Sequence, residues 1–156
     1  MNDTDRDNSG IVFPPPLAYV IGFAAGVGLN RVLPMHLAAP GVLRAPGWTF
    51  IGIGVTVMLS ALVTFRRAGT TPNPTKPAAA LALGGPYRFT RNPMYLGWVL
   101  VYAGAALVVN SVWPLLLLPI VIAVVQRMFI EKEEHYLEQK FGEAYRQYTA
   151  RVRRWL

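Results

Sequence analysis

Cysteine is absent from this 156-residue chain, and histidine occurs only twice. The absence of cysteine excludes disulfide bonds, a thiolate nucleophile and cysteine-ligated metal sites. The two histidines, His36 and His135, are too few and too far apart along the chain to indicate a metal centre. We therefore expect no metal ion and no disulfide framework in this protein.

Charged residues are also scarce, and three long segments contain none. They make up 15% of the chain, against about 25% in an ordinary globular domain, whereas hydrophobic residues make up 53%. The uncharged segments are residues 11–30, 45–65 and 92–126. Because about 20 apolar residues suffice to cross a bilayer core, the first two segments fit one crossing each and the third fits two.

This pattern predicts an all-α integral membrane protein with four transmembrane helices. A turn at Asn110-Ser111 is expected to divide the third segment into a hairpin. The predicted spans are about 17–33, 47–65, 94–109 and 112–130. A secretory signal peptide is the alternative for the first segment, but the residues that precede it are acidic rather than basic.

Basic residues, which give the chain a net charge of +7, are concentrated in two regions. One lies between the second and third uncharged segments and the other follows the last. The positive-inside rule predicts that both regions are cytoplasmic, so that both termini of a multi-pass cell-membrane protein face the cytoplasm. Membrane lipids with anionic headgroups, and not nucleic acid, are the expected partners of these surfaces.

The remaining segments are polar or amphipathic. Residues 1–13 are predicted to form a disordered cytoplasmic tail, and residues 14–156 a single membrane domain. The proline-rich connection 66–86 cannot be a regular helix throughout. Apolar and charged residues alternate at helical spacing after the last span, which predicts cytoplasmic helices over 131–150 with a break at Gly142.

Two motifs carry the residues suited to chemistry. The first is GGPYRFTRNPMYLG at 84–97, which places Arg88 and Arg91 directly before an apolar run. Arginine is costly inside a bilayer, so both are expected at its edge, where they can meet an anionic group. The second comprises EKEE at 131–134 and FGEAYRQY at 141–148.

These motifs resemble the GPYRYxRHPxYxG signature and the EE-x-L…FG-x-x-Y-x-x-Y ending of the isoprenylcysteine carboxyl methyltransferase and phospholipid methyltransferase superfamily. Both occur in the family's order, separated by a hydrophobic hairpin, and the resemblance extends over about residues 84–153. It implies transfer of a methyl group from S-adenosylmethionine to a lipophilic acceptor at the cytoplasmic membrane face. The resemblance leaves two kinds of acceptor open, one like a prenylcysteine carboxylate and the other like a phospholipid amine.

S-adenosylmethionine carries a carboxylate, an ammonium, a sulfonium and an adenine ring, and each group needs a different partner. Arg88 or Arg91 can hold the carboxylate, and Glu133 or Glu134 the ammonium. By resemblance, the loop before the third helix lines the pocket, whereas no catalytic residue is assigned. Arg151 is expected either to contact the substrate or to be a lipid-facing charge. The remaining predicted cofactor contacts are Tyr87, Asn92, Pro93, Tyr95, Leu96 and Tyr145.

One departure from the family keeps other interpretations open. The family usually has histidine where this chain has Asn92, and an amide cannot charge near neutral pH. A non-catalytic lipid-binding membrane protein is therefore one alternative, with Arg88 and Arg91 as anchors at lipid phosphates. A membrane reductase that uses NADPH is the enzymatic alternative, since distantly similar helical architectures occur among sterol-type reductases.

Overall fold

The computed structural model describes residues 14–71 and 77–156. The predicted disordered tail and the middle of the proline-rich connection, residues 72–76, lie outside these ranges. Within them the chain forms helices and no strand. The helices are α1 (Pro16–Val32), α2 (Arg44–Arg67), α3 (Pro93–Val108), α4 (Val112–Val125), α5 (Glu131–Phe141) and α6 (Glu143–Arg151).

The helices begin and end close to the predicted positions, with one exception at the end of α4. Pro93 begins α3, as its fixed backbone angle favours. The turn between α3 and α4 contains Asn110 in a left-handed conformation with φ of 52°. A π-helical turn, Gln126–Ile130, then joins α4 directly to α5, so the fourth helix continues far beyond the predicted span.

Helices α2 and α3 pack antiparallel through facing glycines. A Cβ atom added at Gly47 would lie 2.7 Å from the carbonyl oxygen of Gly104, and one added at Gly54 would lie 2.6 Å from that of Gly97. The two backbones therefore touch where glycines face each other, an arrangement typical of helix pairs in membranes. Ala61, seven residues beyond Gly54, is completely buried on the same face.

Helix α1 packs against α4, and tyrosines fill the space between these helices and α3. Gly26 allows the backbone of α1 to approach Pro114 at the start of α4. Tyr19 of α1 and Tyr102 of α3 are buried and meet edge to face, with ring centroids 6.5 Å apart. The Tyr19 hydroxyl donates to the carbonyl oxygen of Tyr95. This core includes Tyr95, a residue of the first motif.

Two of the described helices are long and apolar enough to cross a membrane, namely Arg44–Arg67 and the continuous helix Val112–Phe141. Helices α1 and α3 are apolar but shorter, with 17 and 16 residues. Charged residues in the continuous helix begin at Arg127, so the α5 part lies beyond its apolar section. Large apolar side chains are exposed on the outer faces of the bundle, as contact with lipid requires: Val20, Ile21, Trp48, Ile53, Leu59, Leu116 and Ile120.

Candidate active site

A cavity of about 500 Å³ lies where both sequence motifs meet. One side is formed by the loop that leads into α3, and the other by α5 and α6. Residues 14–16, 78 and 80–83 complete the wall. The apolar lining consists of Pro14, Pro15, Pro16, Phe65, Ala78, Ala80, Leu81, Ala82, Leu83, Met94, Trp98 and Leu137, and the polar and aromatic lining of Tyr87, Arg91, Asn92, Tyr95, Glu133, Glu134, Tyr145 and Tyr148.

Glycine and proline shape the first motif into a short 3-10 turn, Gly85–Arg88. Gly85 has φ of 53°, and a Cβ atom there would lie 2.5 Å from the Thr64 hydroxyl oxygen. Only glycine tolerates both this positive φ and the close approach of Thr64. The turn buries Tyr87, whose ring meets Phe65 edge to face with centroids 5.3 Å apart. The Tyr148 hydroxyl donates to the Tyr87 carbonyl oxygen at 2.8 Å, which joins α6 to the turn.

Arg91 and Glu134 form a salt bridge at 3.2 Å, so the two motifs converge as the hairpin predicts. Both side chains are mostly buried, with 16% and 15% of their surface exposed. Arg154 clasps the same carboxylate, donating from one nitrogen at 2.6 Å and from Nε at 3.1 and 3.2 Å. Two guanidinium groups therefore neutralise Glu134, and the pairing raises the pKa of Arg154.

The segment after α6 holds the loop of the first motif in position through its backbone. The amide of Arg91 donates to the carbonyl oxygen of Arg153 at 2.9 Å. The next carbonyl oxygen, that of Arg154, accepts from the Thr90 hydroxyl at 3.0 Å and from the Asn92 side-chain amide at 3.1 Å. Trp155 donates to the Gln126 side chain at 3.1 Å. Residues 153–155 are therefore part of the site, and Asn92 has a structural hydrogen bond.

Glu133 differs from its neighbour because no cation of the described residues lies within salt-bridge distance of it. Its carboxylate lines the cavity and accepts a hydrogen bond from the Tyr95 hydroxyl at 2.9 Å. Burial raises the pKa of Glu133 to about 7, although the hydrogen bond from Tyr95 opposes the shift. When it is ionised, this carboxylate presents to the cavity a negative charge that no cation of the described residues balances.

Arg91 retains hydrogen-bonding capacity after it has paired with Glu134. Its Nε is buried and has no acceptor among the described residues. Burial raises the pKa of the neighbouring Tyr145 to about 12, and the positive charge of Arg91 opposes that rise. Burial likewise raises the pKa of Tyr148. These phenols stay protonated near neutral pH, so the two tyrosines act as neutral hydrogen-bonding walls.

Most of the residues predicted as cofactor contacts come together in this cavity. Tyr87, Arg91, Asn92, Tyr95, Glu133, Glu134 and Tyr145 all line it. The other three predicted cofactor contacts, and Arg151, the predicted substrate contact, are not part of its wall. Arg88 and Arg151 are exposed, Pro93 is buried at the start of α3, and Leu96 is half-buried in the first turn of that helix.

Several residues of the site had no assigned role in the sequence. Arg154 pairs with a glutamate twenty positions earlier, and no helical periodicity links them. Trp98 follows Tyr95 by three residues, a spacing that places both on one helix face, but sequence alone does not tell which face meets a cavity. Phe65 and Tyr148 contact the first motif from distant parts of the chain.

Comparison with known proteins connects this site to a family. A family model described as phospholipid methyltransferase matches residues 42–144, more than half of the chain. The match includes α2 to α5, the first motif and the glutamate pair. An uncharacterized protein of Haemophilus influenzae is 41% identical over 63 residues, which are 40% of this chain and the whole of that protein. No solved structure matches the chain.

Proposed function

The chain belongs to the phospholipid methyltransferase family, and we propose that it transfers a methyl group from S-adenosylmethionine to a lipophilic acceptor at the cytoplasmic face of the membrane. The observation that carries this proposal is the cavity and its arrangement of charge. Its volume of about 500 Å³ lies within the range of about 300–1,000 Å³ usual for small-molecule sites. Apolar and aromatic walls surround one unbalanced carboxylate and one arginine with a free donor.

These groups fit the charged ends of S-adenosylmethionine. Arg91 would hold the cofactor carboxylate through its unpaired Nε, because a buried donor without an acceptor is costly until a ligand supplies one. Glu133 would hold the ammonium, since its carboxylate faces the cavity with only Tyr95 as a donor. Glu134 is already neutralised by two arginines, so its proposed role is to orient Arg91.

The aromatic part of the wall suits the adenosine. Tyr87, Tyr145 and Tyr148 line the cavity beside the charged groups, and their faces provide stacking surface with hydroxyl groups at the rim. The chemistry that the bound cofactor supplies is a methyl group already activated by the positive sulfonium. The protein therefore needs mainly to align the acceptor with that methyl group and to exclude water, which the packed apolar lining favours.

The rest of the lining suits a lipophilic acceptor that arrives from the bilayer. Met94, Trp98, Leu81 and Leu83 present apolar surface to the same cavity. A prenylcysteine carboxylate and a phospholipid amine both combine a long apolar part with a small polar group, as this lining requires. The outward-facing apolar side chains of α1, α2 and α4 support immersion of the bundle in lipid.

We also propose four membrane crossings, with both termini in the cytoplasm. Two crossings are supported by the length of Arg44–Arg67 and Val112–Phe141. The shorter α1 and α3 pack against these helices along their lengths, so they would share the same depth in the bilayer. At about 1.5 Å per residue, 16 or 17 residues extend about 25 Å, which requires slight local thinning of a core of about 30 Å.

Ligand binding to detergent-purified protein tests the proposal. Titration with S-adenosylmethionine should saturate at one molecule per chain, whereas NADPH should not compete with it. Incubation with methyl-labelled cofactor and a membrane lipid extract should transfer the label to the organic phase. Binding of NADPH without binding of S-adenosylmethionine would favour a reductase, and binding of neither would leave a non-catalytic lipid-binding protein.

A further inference from the structure

A second cavity, of about 650 Å³, lies beside the candidate active site at the end of α2. Its lining includes Ser60, Thr64 and Arg67, which are spaced four and three residues apart and so share one face of the last two turns. The opposite side is formed by residues 81 and 83–85. We call this second cavity the Arg67 groove.

The charge of Arg67 is unpaired within residues 14–71 and 77–156. It forms no salt bridge with any residue of the described ranges. The Ser60 hydroxyl likewise has no hydrogen-bond partner in the part of the chain that the structure describes, whereas Thr64 donates to the Ser60 carbonyl oxygen. The Arg67 groove therefore presents one guanidinium and one free hydroxyl to a ligand.

The position of the Arg67 groove indicates the kind of ligand. The uncharged part of α2 ends at Phe65, so Arg67 lies at the level of the lipid headgroups if α2 crosses the bilayer. Phosphate is the anionic group present at that depth, and guanidinium binds it through paired hydrogen bonds. Gly84 lines the opposite side of the groove with its backbone alone, and the nearest atom to a Cβ placed there would be the Thr64 methyl carbon at 3.8 Å.

The Arg67 groove is separated from the candidate active site by a single stretch of chain. Leu81 and Leu83 line both cavities, and Ala82 between them is buried. A lipid whose phosphate lies at Arg67 would therefore have its headgroup beside the wall of the active-site cavity. This adjacency favours a lipid that takes part in the reaction over one that only contacts the outer surface of the bundle.

We propose that the Arg67 groove is a subsite for the phosphodiester of the acceptor lipid, held by Arg67 and Ser60. This assignment rests on the proposed function and narrows it, because a prenylcysteine carboxylate has no phosphate to place there. The acceptor is then a phospholipid whose headgroup extends from the Arg67 groove past Leu81 and Leu83 into the cavity.

Lipid binding to the detergent-purified full chain tests this assignment without requiring turnover. The probes are a short-chain phosphatidylethanolamine and a long-chain alkylamine, which shares the amine and the apolar chain but has no phosphate. Arg67→Gln should weaken phosphatidylethanolamine binding at least about tenfold, which is the lower end of the cost of a lost charged hydrogen bond. It should leave the affinities for alkylamine and S-adenosylmethionine unchanged. Arg67→Lys should recover part of the loss because it keeps the charge.

The matched control is Arg66→Gln, which removes the adjacent exposed cation that does not line the Arg67 groove. Equal effects of Arg66→Gln and Arg67→Gln would overturn the subsite, as would an equal loss of alkylamine binding or no phosphatidylethanolamine binding by the parent. Tight binding of inorganic phosphate alone would assign the Arg67 groove to a soluble anion and refute the lipid assignment. Absence of cofactor binding refutes only the proposed function, since lipid binding is measured separately.

Discussion

Replacement of Glu133 by glutamine tests the centre of the proposed site. The substitution removes the negative charge that the cavity presents but keeps an oxygen that can accept from the Tyr95 hydroxyl, now 2.9 Å from the carboxylate. The local packing should therefore survive. A hydrogen bond between charged partners contributes roughly 1.5–3 kcal/mol, so the dissociation constant for S-adenosylmethionine should rise by about 10- to 150-fold.

The pH dependence of binding gives a second measure of the same group. Burial raises the pKa of Glu133 to about 7, and only the ionised carboxylate can pair with the cofactor ammonium. Affinity should therefore increase as the pH rises, by about tenfold between pH 6 and pH 8, because the ionised fraction increases from about one-tenth to about nine-tenths. The Glu133→Gln variant should show a flat profile over this range. Isothermal titration calorimetry at several pH values measures both effects.

Glu138→Gln is the control, since it removes a carboxylate from the same helix at an exposed position outside the cavity. Its affinity and pH profile should match those of the parent. If Glu133→Gln also binds S-adenosylmethionine as the parent does, with the same pH profile, Glu133 is not the ammonium partner and the cofactor is oriented differently in this cavity.

Three further predictions concern the arginine, the helix packing and the topology. Arg91→Lys keeps the charge opposite Glu134 but loses the planar fork, so cofactor affinity should fall at least tenfold with little change in melting temperature; normal affinity would make the arginine a lipid anchor. Gly54→Ala places a methyl group 2.6 Å from a carbonyl oxygen of α3, which should destabilise the bundle by about 1–3 kcal/mol in thermal unfolding. Gly52→Ala, with no atom within 4 Å, should be neutral or stabilising, and equal melting temperatures would contradict the packing. Single cysteines at Ala39 and Gln139 in this cysteine-free chain should react with membrane-impermeant reagents from opposite faces; labelling from the same face would refute the four-span topology.

The helices and the membrane character follow from the sequence because their causes are local. A long run without charge favours a helix that satisfies its own backbone hydrogen bonds in lipid, whatever the helix packs against. Pro93 begins α3 and Gly142, with φ of 51°, ends α5 for reasons of backbone geometry alone. The order of the two motifs and the hairpin between them also predicts that Arg91 meets a glutamate.

The division of roles between Glu133 and Glu134 depends on the tertiary structure. Adjacent residues on a helix point about 100° apart, so only the rotation of α5 decides which carboxylate faces Tyr95 and which faces the arginines. The π-helical turn before α5 contributes to that rotation, and no sequence periodicity predicts it.

The contacts of the segment after α6, and the residues that line the Arg67 groove, likewise depend on the tertiary structure. The Arg154 carbonyl oxygen accepts from Thr90 and Asn92, residues more than sixty positions away in the chain. The sequence determines that the chain forms apolar helices and carries two motifs with residues suited to chemistry, since both depend on neighbours along the chain. Which charges remain unpaired and face a cavity is decided by the tertiary structure. The pairing of these charges depends on contacts between helix ends, and those ends meet only when the bundle is packed.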